Sequence, residues 1–416
     1  MSVLDVRPLR TSPAFRRLWL ATSCSTLGQQ FALVAVLAQV WDLTESPVAA
    51  GALGLAQALP LVLFGLVGGT LADAVDRRRL VLVTTAGQLV AAAGLAAQAL
   101  LGAGSVALVF GLVAVQFAFA GLGAAARKTF VVGLLPTEQV SAGLALSGLS
   151  FQAAMLAGPA VGGIVTAAWG PGACYAIDAV SLLVAAYGVS RLPSLRPKGT
   201  GERPGPRALA EGLAFVGRKP VVAGTLLTDV FATLLAMPIA LFPALNAQRF
   251  GDDPRVLGLF LSAIAVGGVV MGSLSGLFTR RRRLGVVQLV AAAVWGLALA
   301  GFGLAQPLWL AFALLAVAGA ADTVGAVTRS ALVQLATPDS HRGRVSGLEF
   351  VVGAAGPDLG NARAGAVAGL TSPAVAAVSG GLLCVVGVAG LAIGNRSLRR
   401  YRTPEPEPTR VPAGQV

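Results

Sequence analysis

Long apolar stretches alternate along the chain with short polar or glycine- and proline-containing connectors. A membrane-crossing helix needs roughly 20 mainly apolar residues, and the pattern predicts twelve of them. In the first part of the chain they fall at 18–41, 48–72, 80–101, 104–126, 141–168 and 172–190. In the second they fall at 221–246, 256–279, 284–304, 307–330, 345–369 and 373–394. Gly170-Pro171-Gly172, Gln306-Pro307 and Ser372-Pro373 predict tight turns between neighbours. A basic segment with Pro193, Pro197, Pro204 and Pro206 breaks the rhythm. The organisation expected is an N-terminal six-helix half (1–190), a cytoplasmic linker (191–220), a C-terminal six-helix half (221–400) and a disordered cytoplasmic tail (401–416). Within the linker, the apolar run 208–216 suits either the membrane surface or the helix ends. The fold class is an all-α membrane protein with 12 transmembrane helices in two pseudo-symmetric halves.

Composition agrees: 56% of residues are hydrophobic and 12% charged, which excludes a soluble enzyme built on one buried core. A formal net charge of +13 raises the question of nucleic acid. Placed on the predicted spans, however, all but three of the 31 basic residues fall at one end, the exceptions being Arg249, Arg255 and Arg363. So lopsided a distribution orients a plasma (inner) membrane protein with both termini in the cytoplasm and implies no nucleic-acid partner. Cys24, Cys174 and Cys384 lie in apolar runs with no metal-ligand spacing and read as buried packing residues. No cleavable signal peptide is expected, because the first apolar run is too long and Trp41-Asp42 follows it. No G-x4-G-K-[ST] phosphate loop and no intramembrane protease signature occur. The chain is therefore read as no enzyme, with no metal and no cofactor beyond a proton gradient.

Between the second and third spans stands Gly68-Gly69-Thr70-Leu71-Ala72-Asp73-Ala74-Val75-Asp76-Arg77-Arg78-Arg79. Paired glycines permit close helix approach, and the arginines pin the loop to one side of the membrane. The stretch resembles the signature loop of the major facilitator superfamily, G-x3-D-[RK]-x-G-[RK]-[RK]. Gly69, Asp73, Arg77 and Arg78 match; Ala74 and Asp76 depart. The pattern recurs at Gly272, Gly276 and Arg280–Arg282 in the second part. Arg127 before Pro136 is echoed by Arg329 before Pro338, and Gly158-Pro159-Ala160-Val161-Gly162 by Gly356-Pro357-Asp358-Leu359-Gly360. Parallel six-helix repeats are what halves of that superfamily look like. The resemblance covers roughly 12–400, and Gly319-Ala320-Ala321-Asp322-Thr323 with Pro338 to Ser346 is similar to the branch around bacterial enterobactin exporters.

In the resembled fold, spans 1, 4, 7 and 10 line a central cavity. An acid at the bilayer centre costs about 2.5–3.5 kcal/mol on insertion scales, so those present are functional candidates by default. Asp229, near mid-depth on span 7, is the first candidate for proton coupling, followed by Asp322, Asp358 and Glu349. Asp178, on a peripheral span, reads as a structural hydrogen-bonding residue. Substrate-binding candidates are Arg363, whose fork suits carboxylates and phenolates, with Asn361, Gln29, Gln30 and Gln116. An ion pair for Arg363 and interhelical hydrogen bonds for the amides are the bland alternatives. Gly69, Asp73, Arg77, Arg78, Arg127, Glu138 and Arg329 are read as a cytoplasmic gate. Gly158, Pro159, Gly162 and Gly163 resemble the superfamily's antiporter signature, although ordinary packing of a kinked helix explains them equally. His341 reads as a solvated loop residue.

The resemblance implies a secondary transporter, a monomer in membrane lipid, exporting a siderophore-like or hydrophobic small molecule in exchange for protons by alternating access. An importer or facilitator of a small solute on the same fold is one rival. A non-transporting membrane sensor or assembly partner is the other.

Overall fold

Thirteen main helices are labelled α1–α13 here. They are α1 (Pro13–Thr44), α2 (Pro47–Ala74), α3 (Arg77–Leu100), α4 (Val106–Leu134), α5 (Thr137–Ser190), α6 (Pro206–Arg218), α7 (Pro220–Val230), α8 (Phe242–Arg249), α9 (Pro254–Ser273), α10 (Leu284–Leu304), α11 (Leu308–Ala336), α12 (Asp339–Leu370) and α13 (Pro373–Gly394). The computed structural model describes residues 5–194, 206–279 and 281–402, and no strand occurs among them. The tail from 403, most of the proline-rich part of the linker, Arg280 and the side chain of Asp73 lie outside the described residues.

Local chemistry explains where the helices start. Ser12, Ser46, Asp76, Ser105 and Ser372 each accept a backbone N–H of the first turn, and α1, α2 and α13 carry proline in that turn, where its missing donor costs nothing. Between α1 and α2, Glu45 adopts the left-handed conformation at φ 47° and lets the chain reverse.

Ten helices, with Pro220–Arg249 taken as one, are long and apolar enough to cross a membrane among the described residues. At 54 residues, α5 would run about 80 Å if straight, far more than a bilayer core. Its backbone turns at Gly170, where φ is 75° and Pro171 follows. It therefore holds two crossings. Helix α12 has the length but is less apolar than the others, with Pro357, Asp358, Asn361 and Arg363 in its middle. The architecture is consistent with the twelve expected crossings.

Packing repeats along the chain. In the first part α2 packs on α4, while α3 packs on α4 and α5; in the second α9 packs on α11, while α10 packs on α11 and α13. Glycines set the closest approaches. A Cβ at Gly68 would meet the backbone of Leu122, and one at Gly121 the backbone of Leu61. Likewise a Cβ at Gly319 would meet the Ile264 backbone, and one at Gly267 that of Ala316. In lipid, where apolar burial does not drive helices together, such backbone contact is a main adhesive. Gly69, in the signature loop, has nothing near its Cβ position, so the close approach expected of the pair falls on Gly68.

The first and second groups of helices meet along α2 against α12 and α5 against α9. Chain alternation places Ala74, Leu135, Ser190, Lys219 and Ala336 at the basic end, and Glu45, Gly170, Phe250 and Thr371 at the other. Among the described residues, the close contacts between the groups lie toward that second, far end. Gly51 meets Gly365 and Asn361, Gly54 meets the backbone of Asp358, Val48 meets Gly369, and Gly163 meets Pro254 and Gly258. The Ala160 N–H donates across the same seam to Ser262 Oγ at 3.0 Å.

Linker helix α6 lies on the basic end of α12. Glu211 pairs with Arg344 at 3.3 Å, and Phe215 stacks on His341 with centroids 4.5 Å apart. From the linker's apolar run, Phe215 and Val216 pack against helix ends while Leu213 is exposed; the side chains of 208–210 lie outside the described residues. His341 belongs to the first turn of α12, not to a free loop. Cys174 and Cys384 are buried as expected, while Cys24 is exposed.

Candidate functional site

A cavity of about 320 Å³ lies where the two groups of helices meet. Gln29, Gln30, Gln57, Gln88, Gln116, Tyr175 and Asp358 contribute its polar wall, and Leu33, Val36, Leu95, Val113, Phe117 and Ile239 its apolar one. Three predicted substrate-binding residues, Gln29, Gln30 and Gln116, are thus brought together. So is one predicted proton-coupling acid. Asp358 has no hydrogen-bond or ion-pair partner among the described residues. Its backbone carries the α2 crossing at Gly54, so cavity and far-end seam share this residue.

The wall contains a second tier of hydrogen bonds. Gln116 donates from Nε2 to Asp178 Oδ2 at 2.9 Å, and Gln88 from Nε2 to the Thr84 carbonyl at 3.1 Å. Tyr175 donates its hydroxyl to Gln39 Oε1 at 2.8 Å, and Gln39 and Gln98 exchange amide bonds at 2.9 and 3.1 Å. Asp178 is fully buried and, as expected, serves as a hydrogen-bonding residue.

The other acids sit elsewhere. Asp229 on α7 pairs with Arg329 Nη1, and Arg329 Nε reaches Glu349 Oε1 at 3.3 Å. Ser330 Oγ also donates to Glu349 at 3.2 Å. This three-helix cluster joins two proton-coupling candidates to a predicted gate residue. Asp322 is exposed into a narrow crevice beside Thr228, Asp229, Gln288 and Trp295.

Arg363 and Asn361 do not line the cavity. Their partners come from a break in the seventh span. There α7 ends in a π turn (Phe231–Leu235) and a 3₁₀ turn (Ile239–Leu241) around Met237-Pro238, which frees backbone groups. Arg363 donates to the Leu235 carbonyl, Trp295 Nε1 to the Ala232 carbonyl at 3.2 Å, and Asn361 Oδ1 accepts the Ala240 N–H at 3.0 Å. All three side chains hold the broken helix.

Gly158 and Gly162 of the antiporter-like motif pack α5 on Gln30 and Phe31 of α1. Their counterparts Gly356 and Gly360 pack α12 on Thr233 in the π turn. Pro159 and Gly163 stand at the seam with α9, meeting Gly258. At the basic end, Arg78 donates to the Ser190 carbonyl, Arg77 to the Ala72 carbonyl at 3.5 Å, and Arg127 to Thr85 Oγ1 at 3.4 Å. Glu138 lies exposed in the first turn of α5, favourably placed against the helix dipole.

The pattern reading leaves out Gln57, Gln88 and Tyr175. Gln57 and Gln88 carry the same signal as Gln29, a primary amide within an apolar run, but they lie on spans not expected to face the cavity. A larger apolar groove of about 710 Å³ opens between α9, α10 and α11 and holds none of the predicted residues.

Packing that repeats and a polar cavity between two groups of membrane spans fit the architecture expected of the major facilitator superfamily. The chain belongs to the transmembrane secretion effector family, whose model matches residues 5–409. It is 28% identical to the enterobactin exporter EntS of Citrobacter koseri over 99% of this chain and 98% of that protein. It is also 28% identical to EntS of Shigella boydii, over 98% of each. Among solved structures, the nucleoside transporter NupG superposes with a TM-score of 0.72 at 13% identity, covering 94% of this chain and all of NupG. A bacterial homologue of the lysosomal transporter Spinster, inward-facing and unoccupied, gives 0.68 at 16% identity over 95% of this chain and 97% of its own. These two likenesses carry the fold alone.

Proposed function

We propose that the protein exports a hydrophobic, siderophore-like small molecule in exchange for protons, by alternating access and without chemical conversion of the cargo. The carrying observation is the cavity between the two groups of helices, whose one acidic residue among the described lining, Asp358, has no partner among the described residues and sits on the far-end seam. A carboxylic acid at such a place is costly as a bare charge and can take up a proton. Protonation there changes the polarity of the cavity and of the contact that holds the far end shut. Asp229, committed to Arg329, is the weaker carrier. The names of the exporters similar over the full length support the direction and the cargo class. The basic residues gathered at one end support an inner-membrane protein with both termini in the cytoplasm, and the repeated packing supports two six-helix halves rocking about the cavity. An importer on the same fold lacks any such support.

The test uses everted membrane vesicles energised to be acid inside, challenged with a panel of apolar phenols. A compound collapsing the gradient with the wild-type chain, but not with Asp358→Asn, is the expected result. Equal collapse with both transfers coupling to Asp322, Asp229 or Glu349. Absence of collapse across the panel removes proton antiport.

A further inference from the structure

We propose that Asp178, which does not touch the cavity, sets the cavity's ligand preference by fixing the orientation of Gln116. The wall then presents acceptors and selects cargo that brings O–H or N–H donors. This rests on the transport reading only in taking the cavity as the cargo site.

Two amides have no freedom of orientation. While Asp178 is ionised, its carboxylate oxygen, like a backbone carbonyl, can only accept, so Gln116 gives its NH₂ to Asp178 and Gln88 its NH₂ to Thr84. That leaves the Gln116 carbonyl oxygen, which has no donor among the described residues, on the cavity side. Gln88 Oε1 and Gln30 Oε1 are unpartnered too, but they are closed off from the open space and take no part. Asp358 adds a carboxylate to the same wall. Tyr175 offers its ring, because its hydroxyl proton is spent on Gln39. Among the described residues no lysine, arginine or histidine lines the cavity. Acceptors without donors in such a site are unfavourable, and a ligand that brings donors to Gln116 and Asp358 relieves them, whereas an anion or an ether meets lone pairs with lone pairs. The apolar remainder of the wall suits an aromatic body. The ligand class is therefore an uncharged molecule with O–H or N–H donors, or an ammonium, on an apolar frame.

Asp178 is the positioning residue. It is fully buried; Oδ2 receives Gln116, Oδ1 lies 3.5 Å from Ser181 Oγ, and that hydroxyl's shorter bond, 2.7 Å, goes to the Asp178 carbonyl. An asparagine of the same shape can either accept from Gln116 or donate to it, so the orientation is no longer forced.

Equilibrium dialysis of the purified full-length protein at pH 7 tests this with 2,3-dihydroxynaphthalene, its dimethyl ether and 2-naphthoate. The diol is expected to bind roughly tenfold or more tightly than the ether or the anion. Asp178→Asn narrows the diol-to-ether ratio severalfold, and Gln116→Met, close in volume and without an amide, narrows it with ether binding kept. A purely structural role for Asp178 lowers all three affinities together and overturns the proposal. Absent diol binding, or a wild-type preference for ether or anion, overturns it too. Dialysis needs no gradient, so loss of antiport in vesicles with the diol preference intact sinks the transport mechanism alone.

Discussion

Asp229, Arg329 and Glu349 form the cluster whose energetics are easiest to test. Arg329 is the cation between two acids, and all three side chains are at most 19% exposed. Arg329→Met leaves both acids facing each other without it. The expected loss is below the roughly 3–5 kcal/mol of a fully buried pair, because water still reaches the group, but it is well above that of a surface pair. Adding Asp229→Asn removes one uncompensated charge and recovers part of the loss. Thermal unfolding in detergent checks this, and an Arg329→Met protein that melts with wild type would refute the account. The acids were legible as charges within apolar runs. Their partners were not, since periodicity does not say which face of a span is inside. Arg363 illustrates the limit: its partner is a carbonyl freed by a π turn, and only Met237-Pro238 hints at that break.

At the scale of helices, glycine spacing was legible as a packing device, and the structure says which glycines bear contacts. Gly319 carries α11 directly on the Ile264 backbone, whereas Gly69 meets nothing within 4 Å. Gly319→Ala forces α9 and α11 apart at a point where the obstacle is backbone and cannot rotate away. It should destabilise by about 1–3 kcal/mol. Gly69→Ala should leave unfolding unchanged despite its place in the signature loop. Equal melting temperatures for both variants would sink this assignment of packing roles. The kink dividing α5 was legible too, because Gly170-Pro171 combines a residue free to adopt positive φ with one that cannot continue the hydrogen-bond ladder. Helix α6 was only half legible: its apolar run showed that it needed cover, and its docking on α12 depends on Phe215 finding His341, a contact between separate segments.

For the molecule as a whole, the contacts between the two groups of helices make one conformation recognisable. Among the described residues they lie at the end away from the basic residues, and we read the far end as shut, with the cavity's route to the other side running toward the basic end. With the basic end in the cytoplasm, as we propose, this is the state that loads an exporter. No single-sequence pattern announces a conformation, because the glycines of α2, α5, α9 and α12 serve any state in which those helices touch. Transport requires the far-end seam to open, and one pair of positions allows that to be tested directly. A Cβ built on Gly369 lies 3.8 Å from the Val48 Cβ, a separation typical of disulfides. In a chain with Cys24→Ser to remove the exposed thiol, Val48→Cys with Gly369→Cys should cross-link on mild oxidation, and the backbone at Gly369 needs no positive φ. Oxidised vesicles are expected to lose gradient collapse, and dithiothreitol should restore it, while each single cysteine variant stays active under both conditions. If a quantitatively cross-linked protein transports at the wild-type rate, the Val48–Gly369 contact does not part during the cycle. The far-end seam would then be a fixed joint, and access to the cavity would have to open elsewhere.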